Sequence, residues 1–215
     1  MAVAGIPSQN QIPPFALDAL QAKSKNLVLY GLGGVKYSQY GPTTAIANTT
    51  TATSILNQSS TTSIGSILFS STELVQGQAL TITGGGPGCL FRFKAVGTIG
   101  NTGTPNITID FGFKNAAGTY TAIATSGAVA MTTITGTGQL EIVCDGVVKS
   151  YNSSTGVIGM SGYLRYNSTI VPVNFTLSSS MDTTANLTFE SQITWGTASA
   201  SNTATISQAY IEVLN

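Results

Sequence analysis

No histidine occurs anywhere in the 215 residues. That absence removes the Ser-His-Asp and Cys-His arrangements, most zinc sites and the commonest general base. Charge is nearly as scarce. Lys and Arg total 8, Asp and Glu total 8, and charged residues make up 7% of the chain, against about 25% in ordinary globular proteins. The formal net charge is zero, so no long-range field draws in phosphate or anionic lipid, and neither a nucleic-acid nor a membrane partner is expected. Between Tyr37 and Phe91 there is no basic residue at all, which leaves trypsin little to cut.

Cysteine is limited to Cys89 and Cys144, too few for a disulfide framework or a zinc knuckle. Each lies in an apolar, strand-like run, which leaves open two buried free thiols or one bridge between neighbouring strands. No apolar run approaches the ~20 residues of a membrane-spanning helix. The opening MAVAGIPSQNQ has neither a basic nor an apolar signal region, so no cleaved export signal is expected.

The few charges form no recognisable catalytic motif. Glu141 and Asp145 are spaced to share one face of an uninterrupted strand and read as a solvated pair, while Asp110 is expected opposite Arg92 or Lys94 as a structural cross-strand contact. Gly84-Gly85-Gly86-Pro87-Gly88 is followed by Cys89-Leu90-Phe91 rather than by a Lys-Ser/Thr ending and a helix. It therefore reads as a turn between strands, not a phosphate loop. The Asn-X-Ser/Thr triplets, Asn106 and Asn152 among them, follow from composition. No enzyme activity, cofactor or metal is expected.

What is present is a hydrophobic content of 42% spread evenly through a background of Thr, Ser, Gly and Asn, enough for a packed core. Residues 1–50 read as an N-terminal arm and attachment segment. Pro13 and Pro14 suit the start of a short helix carrying Phe15, Leu17 and Leu20, closed by Lys23 and Lys25. Leu27-Val28-Leu29-Tyr30 reads as a strand. Tyr30, Tyr37 and Tyr40 suit either an interface or a cover over one end of the body.

Residues 51–215 carry a period of two, punctuated by Gly, Asn, Ser and Pro, and predict about ten or eleven strands. Among them are 63–70, 79–83, 89–99, 106–114, 119–125, 128–135, 138–149, 157–166, 170–178, 185–195 and 203–213. Leu187, Phe189, Ile193 and Trp195 share a core face. Short strands without intervening helices predict an all-β fold, an antiparallel β-sandwich of jelly-roll type with an extended N-terminal arm.

The closing stretch, Phe189-Glu190-Ser191-Gln192-Ile193-Thr194-Trp195-Gly196 followed by a small-residue turn and the last strand at Thr203, resembles the Thr/Ser/Gly-rich jelly-roll domains of virion structural proteins in tailed phages and large DNA viruses. The resemblance covers residues 51–215 and implies a capsid decoration or cement (minor capsid) subunit that stabilises a particle. It implies a location in the virion after assembly in the host cell, a homo-oligomer with a trimer favoured, and the major capsid protein or other virion proteins as partners. Assembly contacts are expected at Ile12, Pro13, Phe15, Leu17, Leu20, Tyr30, Tyr37 and Tyr40. Two other functions compete. One is a receptor- or glycan-binding domain of a head or tail fibre, with Tyr120, Tyr151 and Tyr166 as stacking platforms on one loop rim. The other is a carboxylate-dependent polysaccharide hydrolase.

Overall fold

A computed structural model describes residues 34–56, 63–70, 74 and 88–214. Fourteen strands are found among them. They are β1 (Gly34–Gln39), β2 (Ile46–Ala47), β3 (Thr53–Ser54), β4 (Ser63–Gly65), β5 (Leu68–Phe69), β6 (Leu90–Asn101), β7 (Asn106–Lys114), β8 (Tyr120–Thr125), β9 (Val129–Ala130), β10 (Ile134–Ser150), β11 (Gly156–Tyr166), β12 (Thr169–Met181), β13 (Leu187–Trp195) and β14 (Thr203–Val213). The expected strand at 79–83, the short helix and the strand at 27–30 lie outside the described residues.

The strands form two antiparallel sheets. An eight-stranded sheet runs β12-β11-β10-β6-β14-β1-β4, with β2 also paired to β14. A six-stranded sheet runs β3-β13-β7-β8, with β5 on β13 and β9 on β7. Four pairings link the early strands to the late ones in nested order: β1 with β14, β3 with β13, β6 with β10, and β7 with β8. Two further pairings, β6 with β14 and β7 with β13, bind that strip to itself across each sheet. Strands β11 and β12 extend the larger sheet beyond β10, joined by a tight turn in which Asn167 adopts a φ of 49°. Asparagine tolerates that left-handed conformation better than other residues with a side chain.

The core lies between the sheets because each long strand alternates. In β6, Phe91, Phe93 and Ala95 are buried while Arg92 is exposed, and in β7 Ile107, Ile109, Phe111 and Phe113 are all buried. The face of β13 read from the sequence is borne out, with Leu187, Phe189, Ile193 and Trp195 buried and Ser191 buried with them. Phe189 is the hub of an aromatic cluster, its ring centroid 5.6 Å from Phe91, 5.1 Å from Phe93 and 5.8 Å from Phe113. Tilted and edge-on geometries of this kind add to the area the rings bury. Gly146 of β10 is a packing requirement, since a Cβ there would lie 2.1 Å from the tip of the Phe91 ring.

Residues 34–47, read from the sequence as part of the arm, are knitted into the larger sheet. Gly34 pairs with Val213, and Ile46 with Ala204. The Trp195 indole Nε1 donates to the Ile46 carbonyl at 3.2 Å, which gives the only tryptophan of the chain a partner for its buried N–H. Cys89 and Cys144 are buried and form no disulfide; burial pushes the Cys144 thiol well above its ordinary range, which keeps it protonated and unreactive.

Candidate functional site

The outer face of the eight-stranded sheet concentrates what polar chemistry the body has. Directly opposed residues of antiparallel strands project on the same side, so the register defines rows across the sheet. Glu212, Arg92, Asp145 and Ser161 form one row on β14, β6, β10 and β11. Tyr210, Lys94, Val143, Tyr163 and Pro172 form the next, and Gln208, Val96, Glu141, Arg165 and Ile170 the third.

Five of the six charged residues in these rows pair with one another. Arg92 grips Asp145 with two hydrogen bonds, Nε to Oδ1 at 2.7 Å and Nη2 to Oδ2 at 3.1 Å. Glu141 lies between two cations, with Lys94 Nζ at 2.8 Å from Oε1 and Arg165 Nη2 at 2.6 Å from Oε2. The Tyr163 hydroxyl donates to Glu141 Oε2 at 3.5 Å. The hydrogen bond from Lys94, followed by the charges of Lys94 and Arg165, holds the Glu141 carboxyl below its usual range. The same bond raises Lys94, and the Asp145 carboxylate raises Arg92. Held ionised in this way, Glu141 is a poor proton donor.

Glu141 and Asp145 do share a face, as their spacing predicts. The partner expected for Asp110 is different. Arg92 and Lys94 pair with Asp145 and Glu141, whereas Asp110 lies on β7 in the other sheet, opposite Thr125 and Gln192. Strand spacing gives the face of a residue but not its neighbour across the ladder. Between the rows lies a shallow depression of about 350 Å3, lined by Arg92, Lys94, Val143, Asp145, Tyr163 and Tyr210. Lysines and arginines at alternating positions of one strand, set against carboxylates at alternating positions of another, were the signal for this surface.

On the six-stranded sheet Glu190 is buried on the side away from the core, its Oε2 held 2.9 Å from Lys114 Nζ. The Tyr120 hydroxyl on the neighbouring edge strand is buried without a hydrogen-bond partner, and burial raises it far above the ordinary phenol range. No group of three His, Cys, Asp or Glu suited to a metal ion occurs among the described residues.

Of the expected assembly residues, Ile12, Pro13, Phe15, Leu17, Leu20 and Tyr30 lie outside the described residues. Tyr37 is fully buried, its hydroxyl donating to Gln39 Oε1 at 3.0 Å. It belongs to the core. Tyr40, next to the end of the same strand, is 54% exposed. The loop rim of tyrosines does not form. Tyr151 is exposed beyond the end of β10, Tyr166 is buried at the far end of β11 with its hydroxyl accepting from the Thr132 N–H, and Tyr120 is on the other sheet.

The chain matches no protein-family model, no curated protein and no solved structure.

Proposed function

We propose that this chain is a virion structural protein, a capsid decoration or cement subunit whose jelly-roll body assembles with copies of itself and with the capsid shell through its N-terminal segment. The observation that carries this reading is the nested strand pairing. Taking β1, β3, β6, β7, β8, β10, β13 and β14 as eight successive strands, the pairs run first with eighth, second with seventh, third with sixth and fourth with fifth. That is the order produced by wrapping one long antiparallel strip into two sheets, which is the jelly-roll plan. Fold alone does not define function. The virion assignment draws its further support from the neutral, charge-poor composition, which lowers repulsion between packed copies, and from the resemblance of the closing Trp195-Gly196 stretch.

In this reading Ile12, Pro13, Phe15, Leu17 and Leu20 anchor the subunit, and a closed ring, with a trimer favoured, buries apolar surface. Removal of residues 1–25 is expected to abolish incorporation into particles, as seen by electron microscopy of particles assembled with and without the protein. Undiminished incorporation would refute the anchoring role.

A second reading has a specific observation in its favour. The depression between Tyr163 and Tyr210 combines two aromatic rings with fixed charged groups, a combination suited to a saccharide. A glycan array probed with the purified protein separates the two: a fibre domain gives a selective signal lost in Tyr163→Ala, and a cement subunit gives none.

A further inference from the structure

Three connections meet at one end of the sandwich: 115–119 between β7 and β8, 151–155 between β10 and β11, and 182–186 between β12 and β13. Each is held by one of its own side chains. Asn115 Oδ1 accepts from the N–H groups of Ala117 and Thr119, both at 3.0 Å. Asn152 Oδ1 accepts from those of Ser154 at 2.9 Å and Thr155 at 3.0 Å, and Asp182 Oδ1 from the Thr184 N–H at 2.9 Å and hydroxyl at 2.6 Å. Two of the loops are also tied together, since the Thr183 N–H donates to the Asn152 carbonyl at 3.0 Å and its hydroxyl accepts from the Asn152 N–H at 2.8 Å. Gly156 permits this approach, because a Cβ there would lie 2.3 Å from Thr183 Oγ1. Between the loops lies a cup of about 410 Å3, within the roughly 300–1,000 Å3 of small-molecule sites. Its floor is apolar, with Met181 and Leu187 both buried. Thr121, Ser153, Ser154 and Ser180 bring hydroxyls to its walls, and Asp182 brings its only formal charge. While Asp182 Oδ1 is taken up by Thr184, Oδ2 and the Ser153 hydroxyl have no hydrogen-bond partner among the described residues.

This chemistry excludes most ligands. No basic residue lines the cup, so a phosphate, sulfate or carboxylate would meet the Asp182 charge with no counter-charge beside it. A metal ion would find one carboxylate with one free oxygen, and no metal-binding group of three occurs among the described residues. A wholly apolar molecule would strip water from the hydroxyls and return no hydrogen bonds. What fits is a neutral molecule with one apolar side and several hydroxyls. We infer that the cup is a binding site for a single neutral sugar ring, the terminal unit of a glycan. Its C–H face rests on the Met181 and Leu187 floor, and its hydroxyls reach Asp182 Oδ2 and Ser153. A hydroxyl donated to a carboxylate is a charge-assisted hydrogen bond, among the stronger kinds, and loops already held in place avoid most of the ordering cost of binding. The cup shares no lining residue with the depression between Tyr163 and Tyr210, so the inference depends neither on that depression nor on the virion role.

Saturation-transfer NMR on the full-length chain tests it, with the methyl glycosides of glucose, galactose, mannose and N-acetylglucosamine as probes and N-acetylneuraminic acid as a charged control. Transfer to at least one neutral glycoside is expected, and none to the charged sugar. Ala117→Trp fills the cup from an exposed loop position and is expected to abolish the transfer. Asp182→Asn keeps an oxygen for the Thr184 turn but removes the charge, and is expected to weaken binding roughly tenfold. Tyr163→Ala, in the sheet depression, is expected to leave binding unchanged. A near-UV circular dichroism spectrum and melting temperature like those of the wild type establish that each variant is folded. Absence of transfer to every neutral glycoside overturns the inference, as does binding of the charged sugar alone. Transfer that survives Ala117→Trp also overturns it, and its loss in Tyr163→Ala would then move the sugar to the sheet depression.

Discussion

Strand β6 presents two different kinds of order on its two sides. Inward, Phe91 and Phe93 meet Phe189 from the opposing sheet with ring centroids 5.6 and 5.1 Å away, and the constraint is volume. Outward, Arg92 and Lys94 meet Asp145 and Glu141 on the neighbouring strand, and the constraint is who stands opposite whom. The inner face tolerates no change of size because nothing there can move into solvent. The outer face tolerates changes of size but not an unanswered change of charge. A chain with sixteen formal charges in 215 residues thus spends six of them, Arg92, Lys94, Arg165, Glu141, Asp145 and Glu212, on one side of one sheet.

The sharpest way to break this contrast is Phe91→Ala, which removes a fully buried ring from the aromatic cluster and is expected to cost about 3–5 kcal/mol in chemical denaturation. A loss under 1 kcal/mol would mean that the two sheets pack less tightly than the ring distances indicate. Gly146→Ala tests the same face by addition instead of removal. The new methyl group falls on the Phe91 ring, and overpacking of this kind costs about 1–3 kcal/mol.

On the outer face the expected effects are smaller. Glu141→Gln leaves Lys94 and Arg165 without their shared carboxylate, at a cost of about 1 kcal/mol for partly solvated pairs. It also changes the pH dependence. Because the folded carboxyl is held below its usual range, its contribution is present above the unfolded value of about 4.3 and is lost as pH falls through the folded one. Melting temperature followed down from neutral pH should therefore fall less steeply on the acid side in the variant than in the wild type. Leu177→Ser is expected to have the least effect on the body, under about 1 kcal/mol, since the residue is 48% exposed; a larger loss would make Leu177 part of the packed core.

Much of this architecture was legible in the sequence because a half-buried strand writes its own pattern. The bounds of β7 and β14 coincide with the alternating runs at 106–114 and 203–213, and the buried face of β13 follows from its residues alone. What the pattern could not convey was partnership. Asp110 and Arg92 are both on strands of the right kind, yet they belong to different sheets, because ladder neighbours are set by the fold of the whole strip and not by local spacing. Tyr37 was hidden for a related reason. It follows the glycine-rich sequence Gly31-Leu32-Gly33-Gly34 and precedes the main series of strands, so nothing local reveals that β14 lies beside it. The ion pairs of the outer face were half visible: their side was readable, their partners were not.

The pairing of Gly34 with Val213 joins strands separated by almost the whole described chain. During synthesis β1 leaves the ribosome long before β14 does. Until Thr203–Val213 has been made, β1 and β6 lack the strand that lies between them, and each presents an unsatisfied sheet edge. Contacts of such high sequence separation form slowly, and open edges of this kind are sites for unwanted association. The last of the fourteen strands is thus the one that joins β1 and β4 to the rest of the larger sheet.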